Sequence, residues 1–373
     1  MKNAMKKVLE IGNYPPPLCG WAMETKLVVD ELRRSGCTCD VLKINENRKV
    51  RSSEYVDVQS GFDYFRKVIR FARGGYQFHI HVNGESKKGY FLALLAAIVG
   101  RLACTPALLT FHGGLPQTYF PKLRFSPIGL AFKILFHLAG GVRCDSEAIK
   151  RAIEGYGIKA RRVTAIAAFS AQYLNFAPRQ LQPEIDAFLA GRQFVFFCYV
   201  SFRPEYRLDT LREAMSQFRK SYPRAGFVWL GFPDKEVPAV EKFARDWAPE
   251  EREALLLLGN LGHDEFLTLM QRCFACIRTP ACDGVSASVL EALALGVPIV
   301  ASENGRRPGG VVTYRQDDPV DLCAKLVSLA THQEDLKRVP IPVKGQDNVR
   351  LIADWVMAGI SGENGSPSLP GGA

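Results

Sequence analysis

The feature that most constrains this chain is an alternation of short apolar strands with helices, which runs through the sequence twice. In the first half, residues 7–11, 39–44, 78–82, 107–111 and 141–144 are short apolar runs that predict strands. Helical stretches separate them, at 22–35 with Gly36 as its stop, at 89–102, and from Asp145 or Ser146 to about Gly155 or Gly157. Strands of this kind fit a parallel sheet covered by helices on both sides. Residues 173–192 read as a connection, because Pro178 and Pro183 break the pattern. A second alternation follows, with strands at 194–200, 226–231 and 276–278, helices at 208–222 and 264–272, and a helix end, a Gly296 turn and a buried strand over 292–302.

With 373 residues the chain exceeds one ordinary core, so two α/β domains are expected, over 1–178 and 190–346. A helix over 347–360 carries Val349, Leu351, Ile352, Trp355 and Val356 at helical spacing, and the Gly-, Ser- and Pro-containing tail 361–373 is expected to be mobile.

Composition excludes several classes. An apolar share of 47% with 23% charged residues indicates a globular rather than a disordered chain. The longest apolar stretches, 89–99 and 127–142, are too short or are interrupted by Lys133, so buried helices are expected rather than membrane spans. The start, Met-Lys-Asn-Ala-Met-Lys-Lys, shows no signal-peptide pattern, and a cytoplasmic location with ten reduced cysteines follows as the expectation. Cys273 and Cys276 form a CxxC without a second pair or a His cluster at zinc spacing, so packing is expected and no metal.

Charge is divided unevenly. Residues 1–175 hold 26 Lys and Arg against 13 Asp and Glu, and the remainder 22 against 25. A basic half attracts anions, and basic residues mixed with apolar ones at 62–73 and 119–136 suit either a peripheral membrane contact or an ordinary solvated helix face. Nucleic acid is not expected as a partner, since no binding motif accompanies the charge.

The chemistry concentrates in Asp283-Gly-Val-Ser-Ala-Ser-Val-Leu-Glu291. Two carboxylates bracket a small polar turn that runs into an apolar helix. A helix starting near Ser288 would aim its unpaired amides and positive dipole end at residues 286–288, where a diphosphate could sit against Gly284, Ser286, Ala287 and Ser288. Asp283 could then hold sugar hydroxyls and Glu291 the ribose diol, because ionised carboxylates are pure acceptors.

This segment resembles the acidic-x7-acidic signature of the family 4 retaining glycosyltransferases, which use nucleotide sugars, although Asp283 stands where Glu is commoner. The resemblance extends over about residues 7–358 through several ordered motifs. Tyr14-Pro-Pro-Pro-Leu-Cys-Gly-Trp-Ala-Met-Glu24 looks like the first-strand loop, with Gly20 matching one phosphate-approaching glycine and Cys19 replacing the other. Leu109-Thr-Phe-His-Gly-Gly114 resembles the strand-end histidine motif, which implies that His112 hydrogen-bonds a sugar hydroxyl. His79 and His81, one strand earlier, read as packing. In Ser201-Phe-Arg-Pro-Glu-Tyr-Arg207 the usual Arg and Lys positions fall on Ser201 and Tyr206, leaving Arg203 and Arg207 to supply charge to the diphosphate. Gly231 and Leu258-Gly-Asn-Leu-Gly-His-Asp-Glu-Phe266 resemble turns around the nucleotide base, and Gly309 stands where the family has an acid after Pro.

The resemblance implies the GT-B fold, two facing Rossmann-like domains with parallel sheets and a deep interdomain cleft. It implies a metal-independent, retaining glycosyltransferase that needs no cofactor beyond a nucleoside diphosphate sugar as co-substrate. Its acceptor is expected to be a glycan or a lipid-linked glycan of envelope, polysaccharide or glycolipid synthesis, met at the inner face of the membrane. A nucleotide-sugar epimerase and a non-catalytic glycan-binding or scaffold protein are the alternatives.

Overall fold

A computed structural model of the chain describes residues 6–16, 19–233, 236–281, 286–333 and 347–361. The chain divides into two compact units, Met1–Gln172 with Gln346–Ala373, and Tyr173–Gly345.

The first unit holds six parallel strands, β1 (Lys7–Gly12), β2 (Thr38–Lys43), β3 (Gln77–Val82), β4 (Leu108–Phe111), β5 (Gly141–Cys144) and β6 (Val163–Ala165). Their spatial order is β2-β1-β3-β4-β5-β6. Between them run α1 (Gly20–Arg34), α2 (Gly61–Arg73), α3 (Lys87–Leu102), α4 (Pro127–Leu138) and α5 (Glu147–Glu154). The serines Ser60, Ser86, Ser126 and Ser146 cap α2 to α5, each hydroxyl accepting a first-turn amide. The Ser86 cap explains why α3 begins two residues before the expected Gly89. On one face of the sheet, Tyr64, Val68, Ala96, Phe132 and Phe136 from α2, α3 and α4 bury Ile80, Leu109 and Phe111.

In the second unit the strands are β7 (Val195–Tyr199), β8 (Gly226–Leu230), β9 (Leu255–Gly259), β10 (Ala275–Arg278), β11 (Ile299–Ser302) and β12 (Val312–Tyr314), again all parallel. They lie in the order β12-β11-β10-β7-β8-β9. The helices are α6 (Pro183–Ala190), α7 (Leu208–Ser221), α8 (Val237–Arg245), α9 (Pro249–Glu253), α10 (His263–Arg272), α11 (Ala287–Ala294) and α12 (Pro319–Thr331). Phe196, Phe218, Phe227 and Trp229 form the centre of one core layer, and Phe197, Val228, Met270 and Val289 that of the other.

Finally, α13 (Asn348–Ser361) belongs to the first unit. Its Val349, Ile352, Trp355 and Val356 pack with Val28, Val29 and Leu32 of α1 on the sheet face opposite α2 to α4. The expected tail beyond Ser361 lies outside the described residues.

Both sheets are therefore Rossmann-like, as the alternation requires. One expectation needs correction: residues 173–192 are not a plain connection. Pro183 starts α6 rather than breaking a helix, because its missing N–H falls where a first-turn donor has no partner anyway. Ile185 and Leu181 are buried in the second unit's core. Among the described residues no helix is long and apolar enough to cross a membrane, and each cysteine is an unbridged thiol.

Candidate functional site

In each sheet the strand order reverses at one place, between β1 and β3 in the first unit and between β7 and β10 in the second. At such a switch the connecting segments leave in opposite directions and open a crevice at the carboxyl ends of the strands. Both places hold polar clusters.

In the first unit, Glu10 is paired in register with His79, and His81 with Thr110. Directly opposed residues of a parallel sheet share a face, and so do residues two apart along a strand. Glu10, His79, His81, Thr110 and His112 therefore project together. Gly12 leaves the space for the His81 ring, since a Cβ there would come within 3.0 Å of the His81 Cβ.

These side chains form a continuous chain of hydrogen bonds. Thr110 Oγ1 lies 2.7 Å from His79 Nε2, and His79 Nδ1 is 2.9 Å from Glu10 Oε1. From Glu10 Oε2 it is 2.8 Å to His81 Nε2, and from His81 Nδ1 2.8 Å to His112 Nε2. Glu10, His79 and Thr110 are fully buried, and His81 and His112 nearly so. Burial alone would raise the Glu10 carboxyl, but the favourable electrostatics and hydrogen bonds of the His79 and His81 rings outweigh it and hold the group at about 2. His81 is pushed down to about 3 by burial and by neighbouring His79, against the pull of Glu10.

A second layer surrounds His112. The Trp21 ring, one residue into α1, packs on it at 4.5 Å between centroids with a 32° tilt, and Asp145 Oδ2 stands 3.7 Å from His112 Nδ1 while accepting the Gly113 amide at 2.9 Å. Gly113 has φ +101°, which favours glycine and turns that amide inward. Arg143, wholly buried on β5, pairs with Glu24 of α1 and lies 3.2 Å from Asp145 Oδ1. Burial raises the Glu24 carboxyl in spite of Arg143. Burial also works against ionised Asp145, yet Arg143 and the hydrogen bond from the Gly113 amide hold that carboxyl below its ordinary range. Gly20 opens α1, and Cys19, read as a replaced glycine, is its N-cap, with Sγ accepting the Ala22 amide.

In the second unit, Arg278 ends β10 and Tyr199 ends β7, so both flank the switch. The buried Arg278 guanidinium lies 5.1 Å from the ring centroids of both Tyr199 and Tyr206. Tyr206, where the resembled family has a lysine, lies in the turn after β7 and carries on its face a cation supplied by β10. Gly231, just past β8, has φ +98°, and a Cβ there would lie 2.5 Å from the Tyr199 ring. Ser201 is held by Glu236, whose Oε2 accepts the Ser201 hydroxyl at 3.0 Å and the Phe202 amide at 2.8 Å.

The helix expected near Ser288 is α11, with Ser286 at its N-cap. The Ser286 hydroxyl meets Ser288 Oγ at 3.0 Å and does not cap the helix, and Ala287 and Ser288 supply its first-turn amides. Glu291 is buried on α11, with Oε1 3.3 Å from Nε2 of His263, the first residue of α10. Arg203 is exposed, and Arg207, with φ +49°, pairs with Asp317 at 2.8 Å on the surface. Asp283 and Gly284 lie outside the described residues.

Sequence reasoning thus missed Glu10, Trp21, Glu24, Arg143, Asp145, His263 and Arg278 as site candidates, and it assigned His79 and His81 to packing alone. The available signal was a period-two run of polar side chains on one face of strands otherwise apolar. For metals, the donor atoms of Glu10, His79 and His81, and those of Glu24, His81 and His112, each lie within 4.8 Å of one another. The 2.7–2.9 Å contacts along the chain from Thr110 to His112 are hydrogen-bond distances, and they already occupy the facing nitrogen and oxygen atoms.

Residues 192–332 match the family described as glycosyl transferases group 1. Solved structures share the fold over nearly the whole chain. A UDP co-structure of Staphylococcus aureus MnaA aligns with a TM-score of 0.68 at 12% identity, over 98% of this chain and 100% of that one. Anabaena HepE in complex with UDP aligns with a TM-score of 0.60 at 16% identity, over 96% and 98%. The UDP-GlcNAc 2-epimerase of Methanocaldococcus jannaschii aligns with a TM-score of 0.59 at 14% identity, over 95% and 99%. These likenesses establish a GT-B-like two-domain α/β fold.

Proposed function

We propose that this protein is a glycosyltransferase that moves a sugar from a nucleoside diphosphate sugar to an acceptor hydroxyl. The observation that carries the reading is the switch-point cluster of the second unit, a buried arginine between two tyrosines, in the stretch that matches the glycosyltransferase family. Relatives of the same fold that were solved with UDP point to a uridine nucleotide.

The main barrier to transfer is the charge that develops on the departing diphosphate. Arg278 and the first-turn amides of α11 would stabilise it, with Arg203 as an exposed second cation. Glu291, oriented by His263, would accept from ribose hydroxyls, Asp283 from the donor sugar, and His112 from a sugar hydroxyl. Gly20, Gly231 and Gly284 would let backbone approach the ligand. Retention and metal independence are what the resemblance implies; the anomeric proton of the product and the effect of EDTA on transfer test them.

For the acceptor side, exposed Leu123 and Phe125 alternate with Lys122 and Arg124 just before α4, and Phe91 and Leu102 stand exposed on neighbouring α3. Apolar tips among cations suit an anionic bilayer, which favours a lipid-linked or envelope acceptor at the inner membrane face.

The experiment is a screen of nucleotide sugars by thermal shift, followed by NMR of the best donor with the protein alone. A preferred donor that raises the melting temperature and is slowly cleaved to UDP and free sugar, with water taking the place of the acceptor, supports transfer. Accumulation of its 2-epimer without acceptor would instead make the protein an epimerase, and no response to any nucleotide sugar would favour a binding or scaffold role.

A further inference from the structure

We propose that Glu10, acting through His81, fixes the tautomer of His112 so that Nδ1, at the Asp145 edge, is its hydrogen-bond acceptor. His81 and Glu10 are then positioning residues, and His112 is the group that meets a hydroxyl.

The inference follows from which atoms can donate. An ionised carboxylate only accepts, so the two imidazole nitrogens at 2.8 and 2.9 Å from Glu10 must both carry protons, His81 on Nε2 and His79 on Nδ1. His79 Nε2 is then an acceptor, and the Thr110 hydroxyl donates to it at 2.7 Å. An uncharged His81 with its proton on Nε2 has a lone pair on Nδ1, so His112 must present Nε2–H across the 2.8 Å contact. In an uncharged ring the remaining nitrogen, Nδ1, carries the lone pair, and at 3.7 Å from Asp145 Oδ2 it is too far for the hydrogen bond that would hold a second proton there. A hydroxyl reaching this edge can donate to Nδ1 and lie beside the carboxylate.

The reverse polarity would need a lone pair facing the Glu10 carboxylate at 2.8 Å, or a charged His81 in a fully buried site. The depressed values of Glu10 and His81 argue against both. Among the described residues, the titratable, charged and aromatic side chains that face the His112 ring are His81 from β3, Trp21 and Glu24 from α1, and Arg143 and Asp145 from and beside β5. Trp21 holds the ring plane, which leaves the tautomer to the hydrogen-bond chain. The consequence for sugar transfer rests on the proposed role of His112, but the tautomer itself does not.

The test is 15N NMR of the full-length protein labelled at histidine, at pH 7.5, with no ligand. The expected result is a pyridine-type shift at His112 Nδ1 with a pyrrole-type Nε2, and the same pattern at His81. Replacing His81→Leu removes the acceptor, and His112 is then expected to lose its single tautomer and show averaged shifts. A pyrrole-type Nδ1 on His112 in the native protein overturns the proposal, as does an unchanged His112 spectrum in a folded His81→Leu variant. Stoichiometric zinc whose removal by EDTA alters these shifts would also overturn it, making the cluster a metal centre. If the variant does not fold, the native spectrum alone decides. Failure of the protein to transfer sugar would leave the NMR outcome untouched, so the two readings fail separately.

Discussion

Acidification below about pH 6.5 should destabilise this protein, and His81 is the reason. In the folded chain His81 is held at about 3, against about 6.5 for an ordinary histidine. Between these values the unfolded chain binds a proton that the folded chain refuses, so stability falls as pH drops below 6.5. Each pH unit in that window is worth about 1.4 kcal/mol per group, so moving from pH 7 to pH 5 should remove about 2 kcal/mol through His81 alone. Glu10 shares the sign, but its stabilisation is complete above its unfolded value near 4.5 and is lost only as pH falls from there towards about 2. Glu24 runs the other way, because its raised carboxyl gains a proton in the folded state first. Urea unfolding of the native protein and of His81→Gln at pH 7 and pH 5 isolates the histidine. Gln keeps an N–H towards Glu10 and has no ring to titrate. Tryptophan emission reports on both units, with Trp21 and Trp355 in the first and Trp229 and Trp247 in the second. The native protein should lose about 2 kcal/mol more than the variant between the two conditions. Equal losses would refute the argument.

Other perturbations follow from the same geometry. Gly231→Ala combines a positive φ with a Cβ pressed on Tyr199 and should cost about 2–4 kcal/mol in urea melts, partly recovered by adding Tyr199→Ala. Arg143→Met strands Glu24 in a buried site and should cost about 3–5 kcal/mol at pH 7, again by urea unfolding, with partial rescue by a second change, Glu24→Met. Leu123→Ser with Phe125→Ser should lower cosedimentation with anionic vesicles several-fold while leaving the melting temperature within about a degree or two, since neither side chain is buried.

Much of the fold was legible because parallel strands buried on both faces are continuous apolar runs, and eight of the twelve were bounded to within about two residues on that signal. Edge strands were harder. Residues 312–314 and 163–165 are three residues long, too short for a pattern to show, whereas 255–259, at the rim of its sheet, carries four consecutive leucines that do mark a strand and was passed over. For the candidate site, local placement was legible where a motif is contiguous, as at the helix start by Ser286 and at the strand-end His112. Partners brought together by sheet register were not, because Glu10 and His79 are 69 residues apart and only the β1–β3 pairing puts them side by side. Arg278 was passed over for the same reason: its partners Tyr199 and Tyr206 meet it only once β10 lies beside β7.

The central claim is that the second unit seats a nucleoside diphosphate at its β7/β10 switch point, and calorimetric titration with UDP tests it most directly. The native protein should bind UDP, Arg278→Gln should weaken binding by about 10- to 100-fold through loss of a charge-assisted contact, and Arg207→Gln, already paired with Asp317 at the surface, should change it by less than about threefold. Unchanged affinity in a folded Arg278→Gln variant would contradict the account.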